Sequence, residues 1–187
     1  LELFKSAWAA ILLYHAAIAA YIFLTRSKPP RPGLFYGWSS PSGPLLVLLS
    51  ACTVPLLVLL WPYIERSPDS LESVLVSFGL SGPGRHLFAA YFVTIHPVLE
   101  ELFWREAVVS REKGIDISDL AFSAYHVIVL IHFMGWAWVI AAFAVLIFIS
   151  WLWRRERRLN GGLAVPVISH AAAGAGIMAA VYYIVSR

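Results

Sequence analysis

The sequence predicts an all-α, polytopic membrane bundle of about six transmembrane helices, a single integral membrane domain over residues 1–187. Three observations carry that expectation. Hydrophobic residues make up 60% of the chain and charged residues 13%, whereas a soluble domain is charged at about a quarter of its positions. The apolar runs are long and unbroken, near the roughly 20 residues that a spanning helix needs, and unlike the short alternating segments of a membrane barrel. The basic residues fall between those runs, so the net charge of +3 reads as an orientation signal and not as a nucleic-acid footprint.

Residues 4–24 form the first run. It lacks a basic n-region and a small-residue cleavage site, so it reads as a span and not as a cleavable signal. Residues 26–43 are rich in Pro, Gly and Ser and form a loop. The second run, 44–63, holds Pro55 as an expected kink. In the connection 65–84, with Pro68 and Asp69, residues 70–80 suit a short amphipathic or re-entrant helix capped by Ser70. The third run covers 85–109. Residues 120–153 contain no charge over 34 positions. One helix of that length would measure about 51 Å against a hydrocarbon core of about 30 Å. A break near Phe133-Met134-Gly135 therefore divides it into the fourth and fifth spans. Residues 163–185 give the sixth.

Lysine and arginine orient the bundle. Arg26, Lys28 and Arg31, then Arg111 and Lys113, then Arg154, Arg155, Arg157 and Arg158 all fall in loops on one side, which is expected to be cytoplasmic. Arg66 and Arg85 fall on the other. The four arginines at 154–158 set topology, with anionic headgroups as a secondary ligand. Trp8, Trp61, Trp151 and Trp153 read as interface anchors. Cys52, the only cysteine, reads as a small buried residue, with no disulfide and no cysteine-based zinc site.

The third run carries the chemistry. It holds His96-Pro97-Val98-Leu99-Glu100-Glu101-Leu102-Phe103-Trp104-Arg105-Glu106. Charges at membrane depth persist when they pair, line a wet cavity or react. Glu101 and Arg105 are i,i+4 with the acid first, the better ion-pair order. His96 and Glu100 share a face, and Arg105 reaches Glu100 at i+5 only if the helix distorts. At 1.5 Å per residue, Glu100 lies roughly 13 Å from the cytoplasmic end of its span, His126 roughly 10 Å and His170 roughly 12 Å. Three helices thus bring a carboxylate and two imidazoles to one level. His15 and His86 read as interfacial, and His132 as a structural hydrogen-bonding group on another side of the His126 helix.

Glu100-Glu101-x-x-x-Arg105, Phe122-x-x-x-His126 and His170, with His96-Pro97 upstream and Asn160-Gly161-Gly162 before the last helix, resemble the CAAX protease and bacteriocin-processing (Abi) family of intramembrane glutamate endopeptidases. The resemblance runs from about His96 to Gly174, within a core of about 85–187. It implies hydrolysis of a peptide bond in a membrane-anchored or lipidated substrate, in a cell membrane that is expected to be a prokaryotic inner membrane. It implies that Glu100 with His126 activates a water, that His170 stabilises the oxyanion, that Glu101 and Arg105 fix Glu100, and that Phe122 packs beside His126. No cofactor or metal is expected. His96, Glu100, His126 and His170 could bind a metal, but the His-Glu-x-x-His spacing of a zinc protease helix is absent. One position departs from the family pattern. Where the third motif has Asn or Asp four residues after its histidine, this chain has Gly174, which offers no side-chain donor. A catalytically impaired scaffold or immunity protein is therefore the alternative reading, ahead of a metal-dependent membrane protease. Gly174 and Gly176 also suit close helix packing.

Overall fold

The computed structural model describes residues 5–25, 36–38, 41–66, 70–108 and 112–187. Among them are eight α-helices, one π-helical turn and no strand. The helices are α1 (Ala7–Leu24), α2 (Ser42–Ala51), α3 (Thr53–Ile64), α4 (Leu71–Ser77), α5 (Gly82–Leu102), α6 (Ile117–Leu130), α7 (Trp136–Asn160) and α8 (Ala164–Val185), with the π turn at Phe103–Ala107 continuing α5. Five stretches are long and apolar enough to cross a membrane: α1, Ser42–Ile64, Gly82–Ala107, α7 and α8. The remaining expected span, the fourth, is α6, an apolar helix of 14 residues. Phe4, Arg26, Lys28, Arg31, Pro68, Asp69, Val109 and Arg111 lie outside the described residues.

Local chemistry explains the breaks. Proline has no N–H and crowds the carbonyl four residues back. The second span accordingly divides at Cys52, three residues before Pro55. That bend leaves Cys52 exposed, not buried as expected. Ser70 caps α4, its hydroxyl accepting the Ser73 N–H at 3.3 Å. The apolar run 120–153 breaks where expected, with Gly135 as the N-cap of α7. The break is held against the end of α3: the Gly135 N–H donates to the Ile64 carbonyl at 2.9 Å and the Arg66 N–H to the Phe133 carbonyl at 3.0 Å. Asp116 and Asp119 form a reciprocal capping box at the start of α6.

The 154–158 arginines are not in a loop. α7 continues to Asn160 and ends at Gly161, whose φ of 72° is the left-handed conformation that glycine adopts without strain. Two turns of helix therefore carry Arg154 back into the bundle, where it is fully buried.

α8 packs against α2, α3, α5 and α7. At Gly176 a Cβ would strike the Thr53 hydroxyl, so this glycine permits close approach of α8 to α3. At Gly174 a Cβ would find ordinary contact, 3.5 Å from the Phe92 ring. The outer surface is apolar: Leu12, Leu48, Leu59, Ile140, Val145 and Phe148 are all exposed, the arrangement a bundle takes in lipid. At one end, Ala7, Leu71, Leu75 and Leu80 cluster with Trp8, Trp61, Phe133 and Ile184. At the other, Ser42 donates to Glu156 at 2.8 Å and the Ala164 N–H to the Tyr36 carbonyl at 3.1 Å. The spans, with α2 and α3 counted as one, thus alternate direction.

Candidate functional site

The two adjacent carboxylates of α5 are both fully buried, yet they are partnered differently. Glu101 Oε2 accepts from Arg105 Nε at 3.0 Å, and its Oε1 accepts from His170 Nδ1 at 2.9 Å. The expected Glu101–Arg105 pair is present at i,i+4, with Arg105 inside the π turn. Glu100 Oε1 accepts from the Tyr125 hydroxyl. Glu100 Oε2 has no hydrogen-bond partner. It lies 3.7 Å from His96 Nε2 and 3.7 Å from His170 Nε2.

His126 completes the group through an intermediary. Its Nδ1–H donates to the Phe122 carbonyl at 2.8 Å, and its Nε2 lies 3.2 Å from the Tyr125 hydroxyl. That hydroxyl therefore lies between His126 Nε2 and Glu100 Oε1, with one proton that it can give to either. Helices α5, α6 and α8 do bring Glu100, Glu101, Arg105, His126 and His170 together. Phe122 is 1% exposed, packed beside His126 at 4.6 Å between ring centroids and under the Arg105 guanidinium at 4.9 Å. The two terminal nitrogens of Arg105 are buried without a hydrogen-bond partner.

Sequence reasoning missed five neighbours, one of them Tyr14, whose ring lies 5.0 Å from that of Tyr125 and whose hydroxyl faces Glu100. His15, expected at the interface, is 4% exposed in the middle of α1. Its Nδ1 is 2.6 Å from the Tyr91 hydroxyl and its Nε2 is 3.1 Å from His96 Nδ1. A histidine eight residues inside an apolar helix was itself the signal, because lipid offers imidazole no partner. Trp153, expected as an interface anchor, is 3% exposed and stacks on the His170 ring at 4.8 Å, since α7 extends beyond it. Tyr91 and Tyr125 carry the connecting hydroxyls, and no motif spacing marked either. His86 does lie at an exposed end, bonded to the Tyr182 hydroxyl at 2.8 Å. His132 sits in the α6–α7 turn against the Phe78 ring.

His96, Glu100 and His170 offer three metal-ligand atoms within 4.8 Å of one another. Two imidazoles and a carboxylate form a zinc-hydrolase donor set. Glu101 on His170 Nδ1 and His15 on His96 Nδ1 resemble the outer partners such ligands use. By donor type the group fits Zn²⁺.

A family model described as Type II CAAX prenyl endopeptidase Rce1-like matches residues 83–176, about half of the chain. That stretch includes α5, the π turn, α6, α7 and α8 as far as Gly176, and so every residue of the cluster except Tyr14 and His15. No curated protein and no solved structure matches the chain.

Proposed function

The chain belongs to the Rce1-like family of type II CAAX prenyl endopeptidases, and on that premise we propose that it hydrolyses a peptide bond near the lipidated end of a membrane-anchored substrate, with Glu100 as general base. The observation that carries this reading is Glu100 Oε2, a fully buried carboxylate oxygen with no partner, facing two imidazoles at 3.7 Å each. Buried polar groups are nearly always hydrogen-bonded, and exceptions mark reactive positions. A water between these groups would lose a proton to Glu100 as its oxygen bonds to the substrate carbonyl carbon. The carbonyl π pair moves onto its oxygen. The oxyanion pair then re-forms the C=O bond as the C–N bond breaks, and Glu100 passes the proton to the departing amide nitrogen, leaving a carboxylic acid and an amine. Arg105 and His170 hold Glu101 in place and so fix the start of the π turn beside Glu100. Tyr125 joins His126 to the base and restricts its orientation. We assign the catalytic core to residues 85–187 and the cell membrane, of prokaryotic type, as its location.

The test is purified protein in detergent with farnesylated peptides that end in a cleavable tripeptide. Cleavage that is lost in Glu100→Gln and in His126→Ala supports the reading. Cleavage that survives Glu100→Gln overturns it. A second reading rests on the His96–Glu100–His170 donor set: the same hydrolysis with a Zn²⁺-bound water. Activity that a chelator abolishes and added Zn²⁺ restores selects that reading.

A further inference from the structure

A hydrolytic site needs a donor where the carbonyl oxygen becomes negative. The obvious imidazole does not supply one. His170 is hydrogen-bonded to the Glu101 carboxylate through Nδ1 at 2.9 Å. A carboxylate only accepts, so Nδ1 carries an N–H committed to Glu101, and in the neutral ring Nε2 is then bare. Gly174, one turn later on α8, has no side chain to offer.

His96 is different. Its Nδ1 is 3.1 Å from His15 Nε2, and His15 Nδ1 is 2.6 Å from the Tyr91 hydroxyl. Three groups in a row can be protonated in only two consistent ways. In one, Tyr91 donates to His15, His15 donates to His96 Nδ1, and His96 keeps its N–H at Nε2. In the other every proton is reversed, and His96 Nε2 is bare. The reversed order would leave the unpartnered Glu100 Oε2 facing two bare nitrogens, on His96 and on His170. The first order gives that oxygen an N–H. The tautomer of an imidazole follows the bond its other nitrogen makes.

We propose that Tyr91 and His15 are positioning residues that hold His96 as its Nε2–H tautomer, and that this N–H is the donor for the oxyanion of the hydrolysis. The 3.7 Å between His96 Nε2 and Glu100 Oε2 exceeds a hydrogen bond, so the N–H is not engaged by the carboxylate and can serve a carbonyl oxygen brought beside the attacking water. Phe92 stacks on the His96 ring at 4.8 Å and lies in ordinary contact distance, 3.5 Å, of a Cβ at Gly174. The inference rests on the glutamate reading above and opposes the Zn²⁺ reading, in which His96 Nε2 must be bare to bind metal.

The experiment combines kinetics with nitrogen NMR of histidine-labelled protein in detergent. The His96 signal, assigned by its loss in His96→Gln, is expected to show a protonated Nε2 and a bare Nδ1. His96→Phe is expected to lower kcat about 100–1000-fold at little cost in KM, as for other lost oxyanion donors. His96→Gln, which restores an N–H, is expected to stay within about tenfold of the native rate. Tyr91→Phe frees the tautomer and is expected to fall between the two. A protonated Nδ1 on His96 overturns the proposal, as does full kcat in His96→Phe or a His96→Gln as slow as His96→Phe. An active His96→Phe beside an inactive Glu100→Gln overturns this inference alone, whereas an active Glu100→Gln overturns the glutamate reading. If His96→Phe does not fold, the tautomer measured in the native protein decides.

Discussion

Among the described residues two arginines are completely buried, and they differ in what surrounds them. Arg154 has a partner for every nitrogen. It donates to Asp119 through Nε at 3.2 Å and Nη2 at 2.5 Å, to the Glu112 carbonyl through Nη1, and to the Gly114 carbonyl through Nη2. Asp119 also accepts from the Ser150 hydroxyl at 2.9 Å and from the Asp116 N–H at 3.0 Å. Arg105 bonds Glu101 through Nε alone, its other two nitrogens are unpartnered, and the adjacent Glu100 Oε2 is unpartnered as well. A fully satisfied buried network rigidifies, and a partly satisfied one is costly to keep. The first cluster joins α6 to α7 as scaffold. The second leaves three buried polar atoms without partners, the capacity that the proposed hydrolysis would use.

Four measurements can break or sharpen that contrast. The largest effect is expected from Glu100→Gln, which should lower kcat about 100–10,000-fold, the range for loss of a general base, with no loss of thermal stability in detergent. An unfolded Glu100→Gln would make the site cluster a structural element like the other. Next comes Asp119→Ala, which leaves Arg154 buried without its counter-charge. Loss of one partner of a buried pair costs about 3–5 kcal/mol, so the melting temperature should fall sharply, while whatever protein remains folded should keep its KM. Tyr125→Phe removes a hydroxyl bonded to a carboxylate, a bond worth about 1.5–3 kcal/mol. Activity should fall about tenfold to a hundredfold with the fold intact, and unchanged activity would remove Tyr125 from the link between Glu100 and His126. The smallest effect belongs to Ser150→Ala, which deletes one hydrogen bond to Asp119 and should cost about 1 kcal/mol of stability and no activity.

Segment length and charge were legible in the chain because lipid imposes them. The break at Gly135 followed from a run too long for one crossing, and the meeting of Glu100, His126 and His170 followed from depth alone. Depth gives a residue's level but not its azimuth. His15 sits on the face of α1 that meets α5, and only the packing of those helices tells that face from the one toward lipid. Arg154 and Trp153 were misplaced for a related reason. Sequence hydropathy ends a span at the first charge, whereas α7 continues past it because Asp119 and two loop carbonyls receive the guanidinium. The i,i+5 geometry that would need a distorted helix was recognisable from spacing, and α5 does pass into a π turn at Phe103–Ala107. The Glu101–Arg105 pair at i,i+4 was legible from spacing as well; that it forms across the entry to a π turn was not.

The brevity of α6 has a consequence for the lipid. Its 14 residues rise about 21 Å, roughly 9 Å less than the hydrocarbon core of an ordinary bilayer. The other long helices match that core, so the mismatch is confined to one flank of the molecule, the flank that carries Phe122, Tyr125 and His126. Acyl chains beside α6 must shorten or disorder to meet it, which is how a membrane accommodates a span that is too short. In bilayers of graded thickness the protein is expected to favour the thinner ones, which partition between vesicles of short-chain and long-chain lipid measures.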